Sequence, residues 1–255
     1  MKFNKKLLSI ILCISLMFTL GGYLVSAQEV DNDEPRIVKI IVVENGTAYE
    51  LEGQAAQDYL KNEEEKLIQT EAKLAELART SALMKSAPSP TNATLNNIWI
   101  GPTYSYKFEE TSRTDNVLVQ YWKKRITEEY VNNSSVNQNV TLSYSVTQGA
   151  DIEASLSAAY KDYLTSTLKA SGHYSSSASG TYSMTIAPHK KMWISFTPRM
   201  NYVYGNLYTI TRYNIFWSVT SEPTFTHFKE TSTIYNSILR KNVPDGVYTF
   251  EEANA

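Results

Sequence analysis

The chain has 255 residues, a formal net charge of −2, 18 tyrosines, ten glycines and a single cysteine. An acidic balance with no basic stripe excludes an electrostatic nucleic-acid binder, and one thiol excludes a disulfide framework or a thiolate metal cluster within the chain. Many tyrosines set against few glycines favour strands over flexible filler.

Residues 1–27 read as a secretory signal peptide: a basic start at Lys2, Lys5 and Lys6, an apolar run from Leu7 to Leu20, and a small-residue cleavage site after Ala27. The apolar run is too short for a membrane anchor. Cys13 lies inside it, so the expected secreted, bacterial-type product carries no thiol. Removing three basic and no acidic residues takes the net charge from −2 to −5 over 228 residues. That length allows one elongated β domain with an appendage, or two small domains.

Residues 28–86 form the expected hairpin and helix appendage. Residues 28–36 are polar and acidic, a loose new amino terminus. Ile37 to Val43 and Thr47 to Leu51 flank Asn45-Gly46, the dipeptide that supplies a tight I′ turn. From Ala55 to Met84 there is neither Pro nor Gly, and Leu60, Leu67 and Leu74 recur every seven residues beside Ile68, Leu77 and Ala78. This predicts an amphipathic helix, either a removable pro-segment or oligomer contact, or a cover for the hairpin. The second is favoured, because Glu64, Glu71 and Ser81 interrupt a coiled-coil seam. Residues 87–94, opening Ala87-Pro88-Ser89-Pro90, read as a stiff polar linker open to proteolysis.

Residues 95–255 turn β-rich. Trp99 to Phe108, Val117 to Trp122 and Ile126 to Val131 are predicted strands, and Lys123-Lys124-Arg125 is taken as a solvated strand end rather than a lipid contact. From Val140 to Val146 the even positions are Val140, Leu142, Tyr144 and Val146, and the odd ones are Thr or Ser. The same register returns from Tyr174 to Ile186, with Tyr182, Met184 and Ile186 opposite a row of hydroxyls. Two such arms predict a two-faced hairpin whose polar face carries no charge. Between them, Ala150 to Leu168 satisfies both a helical period, through Ile152, Leu156, Tyr160 and Leu164, and the even-numbered strand row. Met192 to Thr197 is an alternating strand expected to end at Pro198 or to lie at an edge. Asn201 to Thr220 reads as a hairpin broken at Gly205-Asn206. Its rings, Tyr202, Tyr204, Tyr208, Tyr213 and Trp217, either fill a core or present a face for glycan or protein.

His173, His189 and His227 lie in separate contexts, without ligand spacing or clustered acids, and no Gly-x-Ser-x-Gly elbow or phosphate loop occurs. The expectation is a protein without catalytic residues, metal or cofactor.

The run from Asn132 through Tyr208 resembles the pore-forming module of the aerolysin superfamily, in its epsilon-toxin and mosquitocidal-toxin branch. The residues that carry it are Asn132-Asn133-Ser134 before the alternating Val140 to Thr147, the Ser/Thr row Ser175 to Thr185, the closing Ile186-Ala187-Pro188-His189-Lys190, and the strand Met192 to Thr197 before Gly205. The resemblance implies an elongated antiparallel sheet, homo-oligomerisation at a membrane or cell-surface receptor, and a loop that refolds into a barrel hairpin. The insertion segment would lie between about Thr147 and Tyr174, with Val140 to Val146 and Tyr182 to Ile186 extending the wall. The connector's Lys161 and Asp162, and Ser176 and Gly180 in the second arm, depart from the family pattern. The rival is an extracellular binding module that uses the aromatic sheet.

Overall fold

A computed structural model of the chain describes residues 35–45, 47–84, 103–212, 217–218, 224–231 and 244–255. The signal segment, the linker read at 87–94, Trp99, Gly46 and Tyr213 fall outside the described residues.

Strands β1 (Arg36–Glu44) and β2 (Thr47–Glu52) form the expected hairpin, with Asn45 in the left-handed region at φ 51. Helix α1 (Gly53–Met84) follows at once. The hairpin enters the main sheet, because β1 also pairs along β12 (Gly246–Asn254). The expected mainly β, antiparallel architecture is what forms. The ten-stranded sheet runs β2-β1-β12-β9-β11-β7, where β9 is Lys190–Arg212, β11 is Thr224–Thr231 and β7 is Asp151–Ile152.

β9 is the spine of this sheet. On one edge it pairs first with β12 and then with β11; on the other it pairs in turn with β5 (Tyr130–Asn132), β4 (Lys124–Arg125) and β3 (Thr103–Leu118). Its 23 residues span about 75 Å at the usual rise per residue. Contrary to expectation, the strand neither stops at Pro198 nor folds back at Gly205. Pro198 is the last partner of β12 and precedes the first β3 pair, Leu118↔Arg199. Its missing N–H falls where the ladder changes partners, while its carbonyl accepts from the Val119 amide at 2.9 Å. Gly205 lies against a register shift in β3 between Glu110 and Ser112, and a Cβ there would come within 2.2 Å of the Glu109 carbonyl oxygen. It permits close backbone approach and does not mark a turn.

The predicted strand Val117 to Trp122 is also corrected. β3 ends at Leu118, and Gln120–Trp122 form a 3-10 turn. Of Ile126 to Val131, only Tyr130 and Val131 pair as a strand, within β5.

α1 covers one face of the sheet. Ala56, Tyr59 and Leu60 pack with Ile40, Val42 and Leu118, and Leu67, Leu74 and Leu77 pack with Val117, Met200, Tyr202 and Tyr204. Ile68, expected beside that seam, is 61% exposed. Arg199 joins the helix to the sheet with a fully buried side chain. It donates to Glu63 at 3.0 Å, to the Asn116 carbonyl at 2.5 Å and to the Tyr59 hydroxyl. On β9, the even residues Ile194 and Phe196 pack away from α1, whereas the even residues Tyr202 and Tyr204 pack beneath it. The side-chain parity thus inverts once, beside Pro198.

Replacing Gly205 with alanine is expected to cost about 1–3 kcal/mol through overpacking against Glu109 and Phe108. The urea midpoint should fall with an unchanged slope.

Candidate functional site

On the face opposite α1 lies a separate two-stranded ribbon, β6 (Gln138–Gly149) with β8 (Ser175–Ile186). The two hydroxyl-bearing arms of the sequence are partners, in unbroken antiparallel register from Gln138↔Ile186 to Gly149↔Ser175. Every odd-numbered residue from Asn139 to Thr147 and from Ser175 to Thr185 is exposed. Cross-strand pairs such as Thr141↔Ser183, with hydroxyls 3.0 Å apart, satisfy part of that face internally. Among the described residues, neither long edge of the ribbon pairs with another strand.

The even-numbered face rests on the sheet. Leu142 and Val146 are buried among Ile41, Val43, Ile194, Phe196, Tyr248 and Phe250, with Val140, Tyr144, Tyr182 and Met184 packed around them. Ile186 is fully buried at the ribbon base. The Tyr144 ring lies 5.7 Å from that of Tyr248, and the Tyr182 ring 4.7 Å from that of Phe250. Gly180, which departs from an apolar row, pairs with Tyr144, so the larger ring stands opposite a position with no side chain. Ser176 is buried opposite Gln148 at the connector end.

Three polar ties hold the ribbon. Lys39 donates to the Tyr182 hydroxyl at 2.6 Å and to Glu50 at 3.1 Å. Burial alone would lower the Lys39 ammonium pKa, but these hydrogen bonds outweigh it and raise the value above the ordinary lysine range. That stabilisation is complete at neutral pH and is lost only as pH rises through the raised value. Lys124 donates to the Thr147 carbonyl at 2.7 Å. Asn132, fully buried at the base, donates to the carbonyls of Val136, Ile186 and Ala187 at 2.9–3.0 Å. The triplet Lys123-Lys124-Arg125 is exposed, as a strand end should be, yet each member is engaged: Lys123 on Glu251 at 2.6 Å, Arg125 over the Trp193 ring at 4.3 Å.

The connector resolves the double periodicity of the sequence. Ile152 lies in β7, paired with Phe228, and Leu156 lies in the turn that follows. Helix α2 (Ala158–Ser171) begins at Ser157, whose side chain accepts from the Tyr160 amide, and ends at Gly172 with φ 78. Leu156, Leu164 and Leu168 bury against Val203, Leu207 and Phe228. The ribbon and its connector thus occupy adjoining parts of one face, the first on β1, β12 and β9, the second on β9 and β11.

The aromatic candidates do not share a free surface. Tyr202 and Tyr204 are fully buried beneath α1, as core, and Tyr208 is half-buried. The Tyr202 hydroxyl donates to Glu71 at 2.9 Å. Trp217 belongs to the short β10 (Trp217–Ser218), paired with Arg212. Tyr104 is exposed, at 58%, near the packed trio Tyr106, Tyr160 and Tyr163.

Among the described residues no group of three His, Asp or Glu stands together to hold a metal, and no helix is long and apolar enough to cross a membrane.

No family model matches the chain, and no curated protein matches it. Solved structures do. A protein of Bacteroides vulgatus assigned provisionally as a pore-forming toxin aligns at 10% identity over 60% of this chain and 55% of its own, with a TM-score of 0.20. The Cry23Aa1 and Cry37Aa1 binary complex aligns at 9% identity over 61% and 79%, TM-score 0.16. The parasporin-2 toxin of Bacillus thuringiensis that recognizes cancer cells aligns at 7% over 58% and 68%, TM-score 0.17. The chain spans about half the length of the first of these.

Asn132→Ala is expected to lose about 1–3 kcal/mol, since the buried Ile186 carbonyl loses its donor. Amide exchange in β6 and β8 should quicken before that in β9.

Proposed function

We propose that this chain is a secreted, non-enzymatic membrane-active protein whose ribbon β6–β8 leaves the sheet and inserts into a lipid bilayer as one hairpin of a barrel built from several copies. One observation carries the proposal: a paired ribbon with one face apolar and covered, the other entirely uncharged and wet. A transmembrane β-strand needs about 9–11 residues of alternating character, and each arm has 12 in register. In a barrel the hydroxyl row lines water, the apolar row meets lipid, and the unpaired edges close on neighbouring copies.

Leaving uncovers Leu142, Val146 and Ile186 on the ribbon and, on the bed, side chains such as Ile194, Phe196 and Phe250, at about 1.5–3 kcal/mol for each fully exposed; burial of the ribbon face in hydrocarbon returns the ribbon's share. The connector from Ala150 to Tyr174 must come away from β9 and β11 and pass with the ribbon tip. Membrane lipid or a cell-surface receptor is the partner expected to concentrate the copies.

A second reading, an extracellular module for glycan or protein, retains the exposed Tyr104 and its neighbours but loses Tyr202 and Tyr204 to the core.

The test uses single cysteines along β6, from position 140 to 147 in a Cys13→Ser background, each carrying an environment-sensitive dye. On addition of liposomes, the proposal expects blue shift and lipid-quencher access at 140, 142, 144 and 146, but not at 141, 143, 145 and 147, together with dye release from the vesicles. Uniform water exposure at all eight positions with sealed vesicles, and binding lost on Tyr104→Ala, would favour the second reading.

A further inference from the structure

We propose that acid frees the connector: Glu153, on the connector, and His227, on β11, form a latch that is closed at neutral pH and opens as both take up protons. This rests on the reading of β6–β8 as a mobile ribbon and adds a trigger for its release.

The latch lies at the sheet margin. β11 pairs with β9 on one edge and with the two residues of β7 on the other. At the connector's entry, Asp151 Oδ2 lies 3.3 Å from Lys229 Nζ. Next along the chain, Glu153 Oε2 accepts from the Thr226 hydroxyl at 2.9 Å and lies 3.7 Å from His227 Nδ1, while Oε1 accepts from the Ser155 hydroxyl at 2.6 Å. At the exit, the Thr231 amide donates to the His173 carbonyl at 3.0 Å, and His173 Nδ1 lies 3.2 Å from the Thr231 carbonyl. Glu153 thus adds a carboxylate tie, through Thr226 and the His227 amide, to a connector entry that the β7–β11 pairing and the Asp151–Lys229 pair also hold. Roughly a third of its side chain and 28% of that of His227 meet solvent, so protons reach both.

Charged groups from every neighbouring element bear on the pair. Asp151 of β7, Glu153 and Glu71 of α1 favour a proton on His227, and Lys229 opposes one. Glu71 also receives the Tyr121 and Tyr202 hydroxyls, and Lys161 of α2 donates to the Ala154 carbonyl at 2.8 Å. Burial is the largest influence on His227 and, with Lys229, holds its pKa below the ordinary 6.5. For Glu153, burial pushes the carboxyl up, but the hydroxyls of Ser155 and Thr226 and the imidazole of His227 outweigh it and hold the carboxyl below 4.5.

Both pKa values are lower in the closed state than in the open one, so the open state binds more protons. Closed-state stabilisation is therefore complete above pH 6.5, is lost for His227 as pH falls below that value, and is lost for Glu153 as pH falls below 4.5. Protonated Glu153 offers a weaker acceptor to Thr226 and Ser155, and no charge to the imidazolium.

The test is amide exchange of the full chain without membrane, expressed as protection factors so that the intrinsic pH dependence cancels. As pH falls from about 7.5 to about 3.5, protection in α2 and in residues 150–156 should fall in two steps, one beginning below pH 6.5 and one below pH 4.5, while that of β12 stays constant. Glu153→Gln should lower connector protection already at neutral pH, and His227→Gln should remove the step below pH 6.5. Flat wild-type protection, or a fall shared equally by β12, overturns the latch, and the wild-type titration decides this even if a variant fails to fold. Dye release from neutral and acidic vesicles, run in parallel, separates the two claims. An opened connector beside sealed vesicles contradicts membrane insertion and leaves the latch standing; unchanged protection beside leaking vesicles does the reverse.

Discussion

An apolar row on one side of a two-stranded ribbon must be covered, and that requirement organises one whole face of this protein. Val140, Leu142, Tyr144 and Val146 on β6, with Tyr182 and Met184 on β8, find cover on the β1–β12–β9 surface. The hydroxyl row opposite needs none. A two-stranded ribbon has too little buried surface to stand alone in water, so it can change partners only by exchanging one apolar cover for another. The sheet supplies the first cover, and lipid is the chemically equivalent alternative.

The sheet can offer that surface because β9 runs without interruption. The inversion of side-chain parity beside Pro198 lets one strand bury Ile194 and Phe196 against the ribbon, Tyr202 and Tyr204 against α1, and Val203 and Leu207 against α2. Arg199 sits at the inversion, and its bonds to Glu63, Tyr59 and Asn116 tie α1 to the strand where the pairing changes hands. The fully buried guanidinium of Arg199 thus lies on the face away from the ribbon. On the ribbon side the ties are apolar contacts and a few bonds from Lys39, Lys124 and Asn132, which break without stranding a charge in the core.

Much of this was legible in the residues, for local reasons. Period two in the same register at Val140 to Val146 and Tyr182 to Ile186 was enough to pair the arms, and Asn45 was enough for the first hairpin. The connector satisfied two periods; its capping residues, Ser157 and Gly172, were signals that favour the helix, and their position outweighs the even-numbered row. The β9 path was not legible. Pro198 and Gly205 are breakers by composition, and each acts here through a non-local partner: a ladder changing strands in one case, a bulge in β3 in the other. For the same reason the sequence leaves Tyr202 and Tyr204 open between core and surface platform, since what covers them is a helix more than a hundred residues earlier in the chain. The Glu153–His227 contact likewise joins residues far apart in sequence, and neither has a motif to announce it.

The measurement that bears most directly on a detachable ribbon is a reversible tether between it and its bed. Cysteines placed at Tyr144 and Tyr248, whose rings stand 5.7 Å apart, can be bridged by a short bis-methanethiosulfonate in a Cys13→Ser background and freed by reductant. The bridged protein should leave liposomes sealed, and reduction should restore dye release to the level of the unbridged variant. Equal leakage with the bridge intact would show that the ribbon never needs to leave the sheet, and would contradict the account.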